Sequence, residues 1–442
     1  MSWLKEPEAL QHSIIDFRDP KGPDLLARVR PFHDWLNLRR KYKLWTCSKV
    51  LRSSPDSVVS YADEFGLGEL SGINFAVQDY LGLTRHPAVR AAAKDVIDAF
   101  GPHSGGSPMF AGNSLMSKHL ENSITETLEG EACLLYATGW QAGFGVIQAL
   151  VRHEDYLVID KLAHACLNCG AIHATPNVRH FSHNDVAHLE KIIKDIRARD
   201  TANAILVVTE GLFSMDSDLP PLAEMQDLVH EYRGTLMVDT AHDFGSMGPG
   251  GTGSIGGQGM LGKIDLVMGS FSKTFACNGG FVVCPRSAKD HLQVFGNPYT
   301  FTNALSPIQC AIADACLSIV RSEEGDTLRA NLMTTVNTLR NSFVTNGFKV
   351  KGVPSPIVPV LVYEEDIARV MGRLLNEAQL LSNLCEYPAV PRGLSRFRFQ
   401  VMATHTDEEA RRAVNIFTDC HAEAKRIIQG VDANTEDSLS TS

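Results

Sequence analysis

The stretch DLVMGSFSK, residues 265 to 273, decides the fold that this sequence predicts. Apolar and small residues lead into a serine-rich turn that ends at Lys273. Other short runs share this pattern: DYLVID (155–160), AILVVTEG (204–211), TLMVDTAH (235–242) and GGFVVCP (279–285). Runs of this kind, separated by helical patterns, are typical of strands that are buried on both faces. We therefore predict an α/β fold, a mostly parallel sheet flanked by helices.

The chain divides by pattern into four parts. Residues 1–70 are polar and helix-leaning, which indicates an N-terminal helical arm, and residues 71–298 contain the alternating strands and helices. Residues 299–430 contain the strand-like runs SPIVPVLV and RFRFQVM and a helix that starts with a capping box, Thr406 with Glu409. We predict that this part is a smaller α/β domain and that the polar residues 431–442 are a disordered tail.

Composition excludes several classes of protein. The 442 residues carry a net charge of −10, which argues against nucleic-acid binding. No window reaches the roughly 18 apolar residues of a membrane helix, and the first residues are acidic with no long apolar run, so we expect no signal peptide. Ten scattered cysteines indicate reduced thiols and a cytoplasmic protein. Cys166 and Cys169 form a C-x-x-C without a second pair, so we expect no metal site.

Polar side chains follow several of the predicted strands, where the carboxyl ends of parallel strands gather functional residues. They are Glu210 and Ser214, Asp239 and His242, Ser270, Ser272 and Lys273. The turn Thr138–Gly139–Trp140 stands at a predicted helix N-terminus, whose backbone N–H groups suit a phosphate. Each feature alone is weak, because an Asp after a strand is more often a helix cap.

The combination of these residues indicates more. An aldehyde cofactor bound as a lysine Schiff base needs an amine, a carboxylate for its pyridine nitrogen, a phosphate cradle and an arginine for the substrate carboxylate. The chain offers Lys273, Asp239, the Thr138–Trp140 turn with Ser270, and either Arg398 or Arg396.

Six segments, in order, resemble the motifs of the α-oxoamine synthases, pyridoxal-phosphate enzymes of fold type I. They are FAVQDYLGLTRHPAV, GPHSGGSPMFAGNSLMSKHLE, DKLAHACLNCGA, VDTAHDFGSMGPGGTG, GSFSKTFACNGGF and RFRFQVMATHT, and the resemblance runs from about residue 70 to 425. It implies a large cofactor-binding domain, a smaller C-terminal domain and a homodimer.

The resemblance also implies a role for each matched residue. Lys273 would be buried and would form the Schiff base with the cofactor, Asp239 would pair with the pyridine nitrogen, and His242 would approach the phenolic oxygen. His164 would stack on the ring and assist proton transfer, and Ser214 would lie near it. Ser270, Thr138, Gly139 and Trp140 would bind the phosphate, and Thr302 would reach the phosphate of the partner subunit. Arg398 and Gln78 would bind the carboxylate of the substrate.

The implied reaction is a decarboxylative condensation of a small amino acid with an acyl thioester, delivered by CoA or an acyl carrier protein, to give an α-aminoketone. Three alternatives remain open: a relative that cleaves aminoketones, an aminotransferase, and an inactive subunit of a heterodimer. Inactive subunits lose the lysine, whereas this chain keeps Lys273. The departures from the family pattern include Gln78 for Asn, which affects the choice of amino acid, and Thr240 for Glu.

Overall fold

The computed structural model describes the backbone of residues 6–440, and the side chains of these except Pro7 and residues 431–440. Two compact units are present. The central unit is Gln78–Asn331, and the terminal unit combines the chain up to Val77 with the chain from Leu332 onward. The predicted boundaries at 70/71 and 298/299 stay predictions, and the compact units themselves are divided at 77/78 and 331/332.

Strands and α-helices are numbered in chain order. The strands are β1 (Val50–Leu51), β2 (Val58–Ala62), β3 (Leu70–Asn74), β4 (Ala132–Tyr136), β5 (Tyr156–Asp160), β6 (Val178–Phe181), β7 (Ile205–Glu210), β8 (Thr235–Asp239), β9 (Leu266–Ser270), β10 (Gly280–Cys284), β11 (Ile357–Tyr363), β12 (Leu380–Leu381), β13 (Asn383–Cys385) and β14 (Ser395–Gln400). The α-helices are α1 (Arg30–Lys41), α2 (Pro87–Phe100), α3 (Leu115–Thr127), α4 (Gly139–Leu150), α5 (Ala165–Ala174), α6 (Val186–Arg199), α7 (Leu222–Glu231), α8 (Gly253–Gly257), α9 (Arg286–Phe295), α10 (Asn297–Thr300), α11 (Pro307–Val320), α12 (Glu323–Thr345), α13 (Glu365–Glu377) and α14 (Asp407–Ser440).

The central unit is built on a seven-stranded sheet in the order β4-β10-β9-β8-β7-β5-β6. Strand β10 runs antiparallel to both of its neighbours, and β9, β8, β7, β5 and β6 are mutually parallel. Every residue of β7, β9 and β10 is buried, as expected for strands with both faces covered. The predicted α/β fold with a mostly parallel sheet is confirmed.

Helices cover this sheet with apolar faces that the sequence pattern predicted. On α3 and its C-cap, Leu120, Ile124 and Leu128 are buried, four residues apart as one helix face requires. Helix α4 packs closely on α5 because Gly143 has no side chain, and an added Cβ there would lie 2.8 Å from Sγ of Cys166. This contact brings together the N-termini of two helices that follow β4 and β5.

The terminal unit contains two small sheets, β1-β2-β3-β12 and β11-β14-β13. The predicted strands in SPIVPVLV and RFRFQVM correspond to β11 and β14, which pair antiparallel. The capping box is also present, because the backbone N–H of Glu409 donates to Oγ1 of Thr406 (3.1 Å) and the N–H of Thr406 donates to Oε2 of Glu409 (2.8 Å).

Two terminal segments differ from the sequence-based expectation. The N-terminal part is helical only as far as Lys41, and residues 50–74 form β1, β2 and β3, whose Val- and Tyr-containing runs suit a sheet. At the other end α14 continues to Ser440, through the first residues of the expected tail, since no proline interrupts the chain there. Residues 441–442 of that tail lie outside the described residues.

No helix within the described residues is long and apolar enough to cross a membrane.

Candidate active site

A cavity of about 300 Å³ opens at the carboxyl edge of the central sheet. Its walls come from the ends of five strands, the starts of α4 and α5, and the turns after β8 and β9. The lining residues are Thr138, Gly139, Trp140, His164, Cys166, Glu210, Asp239, Ala241, His242, Met268, Ser270, Ser272, Lys273, Asn278 and Gly279. All belong to the central unit. Eight of the residues expected at the site therefore line one cavity: Thr138, Gly139, Trp140, His164, Asp239, His242, Ser270 and Lys273.

The start of α4 forms one wall. Thr138 is its N-cap, and its Oγ1 accepts the backbone N–H of Gln141 (3.2 Å). Gly139 approaches the end of β9 so closely that an added Cβ would lie 2.5 Å from Oγ of Ser270. The Oγ atoms of Ser270 and Ser272 are 2.7 Å apart. Backbone N–H groups at a helix start, with two hydroxyls beside them, can bind an anion.

A buried carboxylate and an amine face this cavity from β8 and from the turn after β9. Asp239, the last residue of β8, is 5% exposed and accepts the backbone N–H of Ala241 at 2.9 Å. Burial raises the pKa of Asp239 above its ordinary value, and the charge of Lys273 and the Ala241 N–H offset only part of that rise. Lys273 is only partly buried, contrary to the expected burial of its amine, because it lies in the turn after β9 and not in the strand itself.

Two histidines complete the walls. Nδ1 of His242 lies 2.8 Å from the hydroxyl of buried Tyr80, which leaves Nε2 as its other polar atom. His164 is the N-cap of α5, and its Nδ1 accepts the backbone N–H of Cys166 (3.3 Å). The ring of Trp140 meets the ring of His164 edge-on at 6.0 Å between centroids. The site thus has an aromatic wall whose imidazole is exposed.

Four of the expected site residues lie outside this lining. Ser214 is partly buried in the turn after β7, and Thr302 accepts a hydrogen bond from Nε2 of Gln141 (3.2 Å). Gln78 is partly buried at the first position of the central unit. Arg398 lies on β14 of the terminal unit, where it is 8% exposed and pairs with Pro359. The roles of these four stay predictions.

The cavity also involves residues to which the sequence pattern assigned no role. Glu210, expected only as a polar residue after a strand, is 3% exposed and lines the cavity floor beside Asp239. Tyr80 belongs to one of the matched motifs but has no predicted role. For Glu210, the available signal was a Glu at the end of a continuous apolar run. The contact of Tyr80 with His242 joins residues 162 positions apart, which no local pattern indicates.

A second polar cluster lies outside the cavity. The ring nitrogens of His183 bond to Oδ1 of Asp160 (3.0 Å) and Oδ2 of Asp218 (2.8 Å), and Asp216 is close by. Although burial lowers it, hydrogen bonds and charge from the two carboxylates raise the pKa of His183 to about 9. An imidazolium bridging two carboxylates accounts for this arrangement, and the expected absence of a metal stays a prediction.

Comparison with known proteins identifies the family. The family described as aminotransferase class I and II matches residues 71–417. The chain is 34% identical, over 78% of its length and 87% of the relative's, to 8-amino-7-oxononanoate synthase of Trichlorobacter lovleyi. Serine palmitoyltransferase of Sphingomonas wittichii superposes with a TM-score of 0.82 and 28% identity, over 91% of this chain and 99% of that one. The serine palmitoyltransferase of S. paucimobilis with a bound PLP–myriocin aldimine gives 0.82 and 26%, over the same shares.

These similarities are extensive enough to place the chain. It belongs to the aminotransferase class I and II family and, within that family, to the α-oxoamine synthase group. The predicted family and the predicted cofactor, pyridoxal phosphate, are confirmed.

The cavity fits that cofactor by its own chemistry. The contact between Gly139 and Ser270 leaves no room for a side chain, so backbone N–H groups at the start of α4 can reach a phosphate directly. A buried carboxylate at Asp239 suits a protonated ring nitrogen, and the Lys273 amine suits an aldehyde carbon. The donor set therefore matches a phosphorylated pyridine aldehyde.

Proposed function

We propose that this protein is a pyridoxal-phosphate-dependent acyltransferase that condenses a small amino acid with an acyl thioester. The amino acid loses its carboxylate as CO₂, the acyl group joins its Cα, and the thiol leaves after taking up one proton from solvent. The observation that carries this proposal is the single cavity that joins Lys273, Asp239 and the start of α4 at the carboxyl ends of the strands.

The cofactor, when bound, supplies an electron sink that stabilises negative charge at Cα of the amino acid. Asp239 would hold its ring nitrogen, because a buried carboxylate stabilises a cation there. Thr138, Gly139, Trp140 and Ser270 would hold its phosphate at the helix start. These residues bind and orient, and the buried floor of the cavity strengthens their electrostatic interactions.

The amine of Lys273 is the group that we assign to proton transfer. Nζ of Lys273 would take the proton from Cα of the amino acid, and the same atom can return it to the product carbon. His242 would approach the phenolic oxygen of the cofactor, with its Nδ1 beside the Tyr80 hydroxyl. His164 would orient the amino acid from the exposed wall of the cavity.

The remaining predicted site residues concern substrate and partner. We propose that Arg398 binds the amino acid carboxylate as a bidentate pair, with Arg396 as the alternative, and that Gln78 contributes to the choice among glycine, alanine and serine. Arg398→Lys should then weaken the binding of all three amino acids together, because an ammonium lacks the planar fork. If Arg398→Lys leaves binding unchanged, Arg396 is the better assignment.

We also propose a homodimer. Near the start of α4, the segment that contains Ser107 bonds to the segment that contains Thr302, through Oγ of Ser107 to the carbonyl of Thr300 (2.6 Å). Both segments carry exposed large apolar side chains, among them Phe110 (83% exposed) and Phe301 (81%). Exposed apolar surface of this kind marks an interface, and a second copy of this chain would cover it and bring its Thr302 to a phosphate. The cytoplasmic location stays a prediction that rests on the cysteine content.

A labelling experiment distinguishes the reaction from its alternatives. Incubate the loaded enzyme with glycine, alanine or serine carrying a carboxyl ¹³C label, with or without short and long acyl thioesters. Condensation predicts labelled CO₂ only when a thioester is present. An aminotransferase would leave the label in a 2-oxo acid and require an amino acceptor, and an aminoketone-cleaving enzyme would show net turnover from aminoketone and free thiol.

A further inference from the structure

Three neighbouring strands of the central sheet end on a carboxyl group. Strand β7 lies between β5 and β8, and the three strands end at Asp160, Glu210 and Asp239. All three side chains are buried, at 0%, 3% and 5% exposure. Glu210 and Asp239 are directly paired in the β7–β8 register. Two carboxylates placed this closely out of water cannot both be ionised without a large cost.

The carboxyl groups of Asp160 and Asp239, on the two strands that flank β7, each have favourable neighbours that offset their burial. Asp160 bonds to both His183 Nδ1 and the backbone N–H of Asn184. Asp239 accepts the N–H of Ala241 and is stabilised as an anion by the charge of Lys273. Glu210 stands between them, and the repulsion from Asp239 outweighs the attraction that Lys273 exerts on it.

The two oxygens of Glu210 have different surroundings. One accepts the backbone N–H of His164, the N-cap of α5. The other, Oε1, is buried and has no hydrogen-bond partner among the described residues. The remaining groups that face Glu210 are Asp239, Lys273 and Asp160, together with the thiol of Cys166, which burial keeps protonated. A buried charged oxygen without a donor is unfavourable, whereas a protonated one is a hydrogen-bond donor.

We propose that Glu210 is held as a neutral carboxylic acid at the floor of the cavity. It acts as a positioning residue. Its accepting oxygen holds the start of α5 and hence the imidazole of His164. Asp239 is then the one anionic carboxylate among the residues that line the cavity. The consequence for catalysis rests on the proposed function, but the protonation of Glu210 does not.

Infrared spectroscopy tests the protonation directly. Spectra of wild type, Glu210→Gln and the matched control Glu224→Gln, an exposed glutamate on α7, are compared at about pH 7 without cofactor. The difference between wild type and Glu210→Gln should show the loss of a protonated-carboxyl C=O band. Glu224→Gln should instead lose a carboxylate band. A carboxylate loss in Glu210→Gln would overturn the proposal.

Stability against pH gives a second readout that does not need activity. A glutamic acid with a raised pKa in the folded state releases its proton on unfolding once the pH exceeds the ordinary value of about 4.5. The melting temperature of wild type should therefore fall relative to that of Glu210→Gln as the pH rises from about 5 to 8. Parallel curves for the two proteins would contradict the proposal.

In the loaded enzyme, the visible band of the lysine-bound cofactor titrates with pH. Because Gln replaces a neutral acid by a neutral amide, the visible band of Glu210→Gln should titrate at the same pH as that of wild type. Glu210→Leu cannot accept the His164 N–H, so this variant should bind the cofactor more weakly. A lower titration pH in Glu210→Gln would mean that an anion had been removed, and the proposal would fail. If no cofactor binds to wild type, the proposed function fails while the infrared result still decides the state of Glu210.

Discussion

Replacing Gly139 by Ala tests the phosphate cradle with a single methyl group. The added Cβ would lie 2.5 Å from both Cβ and Oγ of Ser270 and 3.3 Å from its Cα. Ordinary carbon contacts are about 3.5 to 4.0 Å, so the start of α4 must move by roughly 1 Å away from β9. It has little freedom to do so, because Gly280 on β10 packs against Gly139 and Thr138.

Overpacking of this kind costs about 1 to 3 kcal/mol, and the better helix propensity of Ala offsets less than about 1 kcal/mol of it. We expect a net loss of about 1 to 2 kcal/mol of stability. If the displaced N–H groups lose a similar free energy of phosphate binding, the Kd for pyridoxal phosphate rises about tenfold, since about 1.4 kcal/mol corresponds to a factor of ten.

The assay is a titration of cofactor-free protein with pyridoxal phosphate, followed by thermal unfolding. Gly257→Ala is the matched control, because a Cβ on Gly257 of α8 meets no heavy atom within 4 Å; its Kd should match wild type, and its melting temperature should not fall. Adding Ser270→Gly to Gly139→Ala removes both contacting atoms and should restore stability, but not binding. An unchanged Kd in Gly139→Ala would refute the assignment of this turn to the phosphate.

The remaining predictions concern charge and assembly. The pKa of His183 is about 9 in the folded state and roughly 6.5 in the unfolded state. Its contribution to the stability of the folded protein is therefore complete below about pH 6.5 and is lost as the pH rises through 9. Relative to His183→Gln, wild type should lose about 3 kcal/mol of stability across that range of pH in thermal unfolding, and parallel curves for the two proteins would contradict the bridge. Asp239→Asn should keep the fold and lower turnover by orders of magnitude; a rate within about threefold of wild type would mean that Asp239 only stabilises the turn after β8 through the Ala241 N–H. Light scattering should give a dimer for wild type and a monomer for Phe110→Asp, and a fully active wild-type monomer would disprove the shared site.

Much of the fold and part of the site could be predicted because their signals are local. Strands such as β8 and β9 are continuous apolar runs. The polar residues at or just after their ends, Asp239, Ser270 and Lys273, meet at one edge of the sheet because parallel strands share a direction. A helix start after β4 likewise follows from a small-residue turn. These features need no knowledge of distant contacts.

The other features depend on tertiary packing. Glu210 becomes a buried acid only because β7 lies in the middle of the sheet, beside β8, an order that the chain sequence does not state. The Tyr80–His242 contact joins residues 162 positions apart. The expected burial of Lys273 is wrong for a related reason, since an apolar strand predicts the burial of its own residues but not that of the turn after it.

The central claim is that Lys273 binds pyridoxal phosphate covalently. Borohydride reduction of the loaded protein, tryptic digestion and mass spectrometry test it directly, because reduction converts the Schiff base to a stable secondary amine. A modified lysine resists trypsin, so we predict one labelled peptide that runs from Ile264 to Arg286 across an uncleaved Lys273. Cofactor attached to another lysine, or a loaded protein that yields the unlabelled peptide cleaved after Lys273, would contradict it.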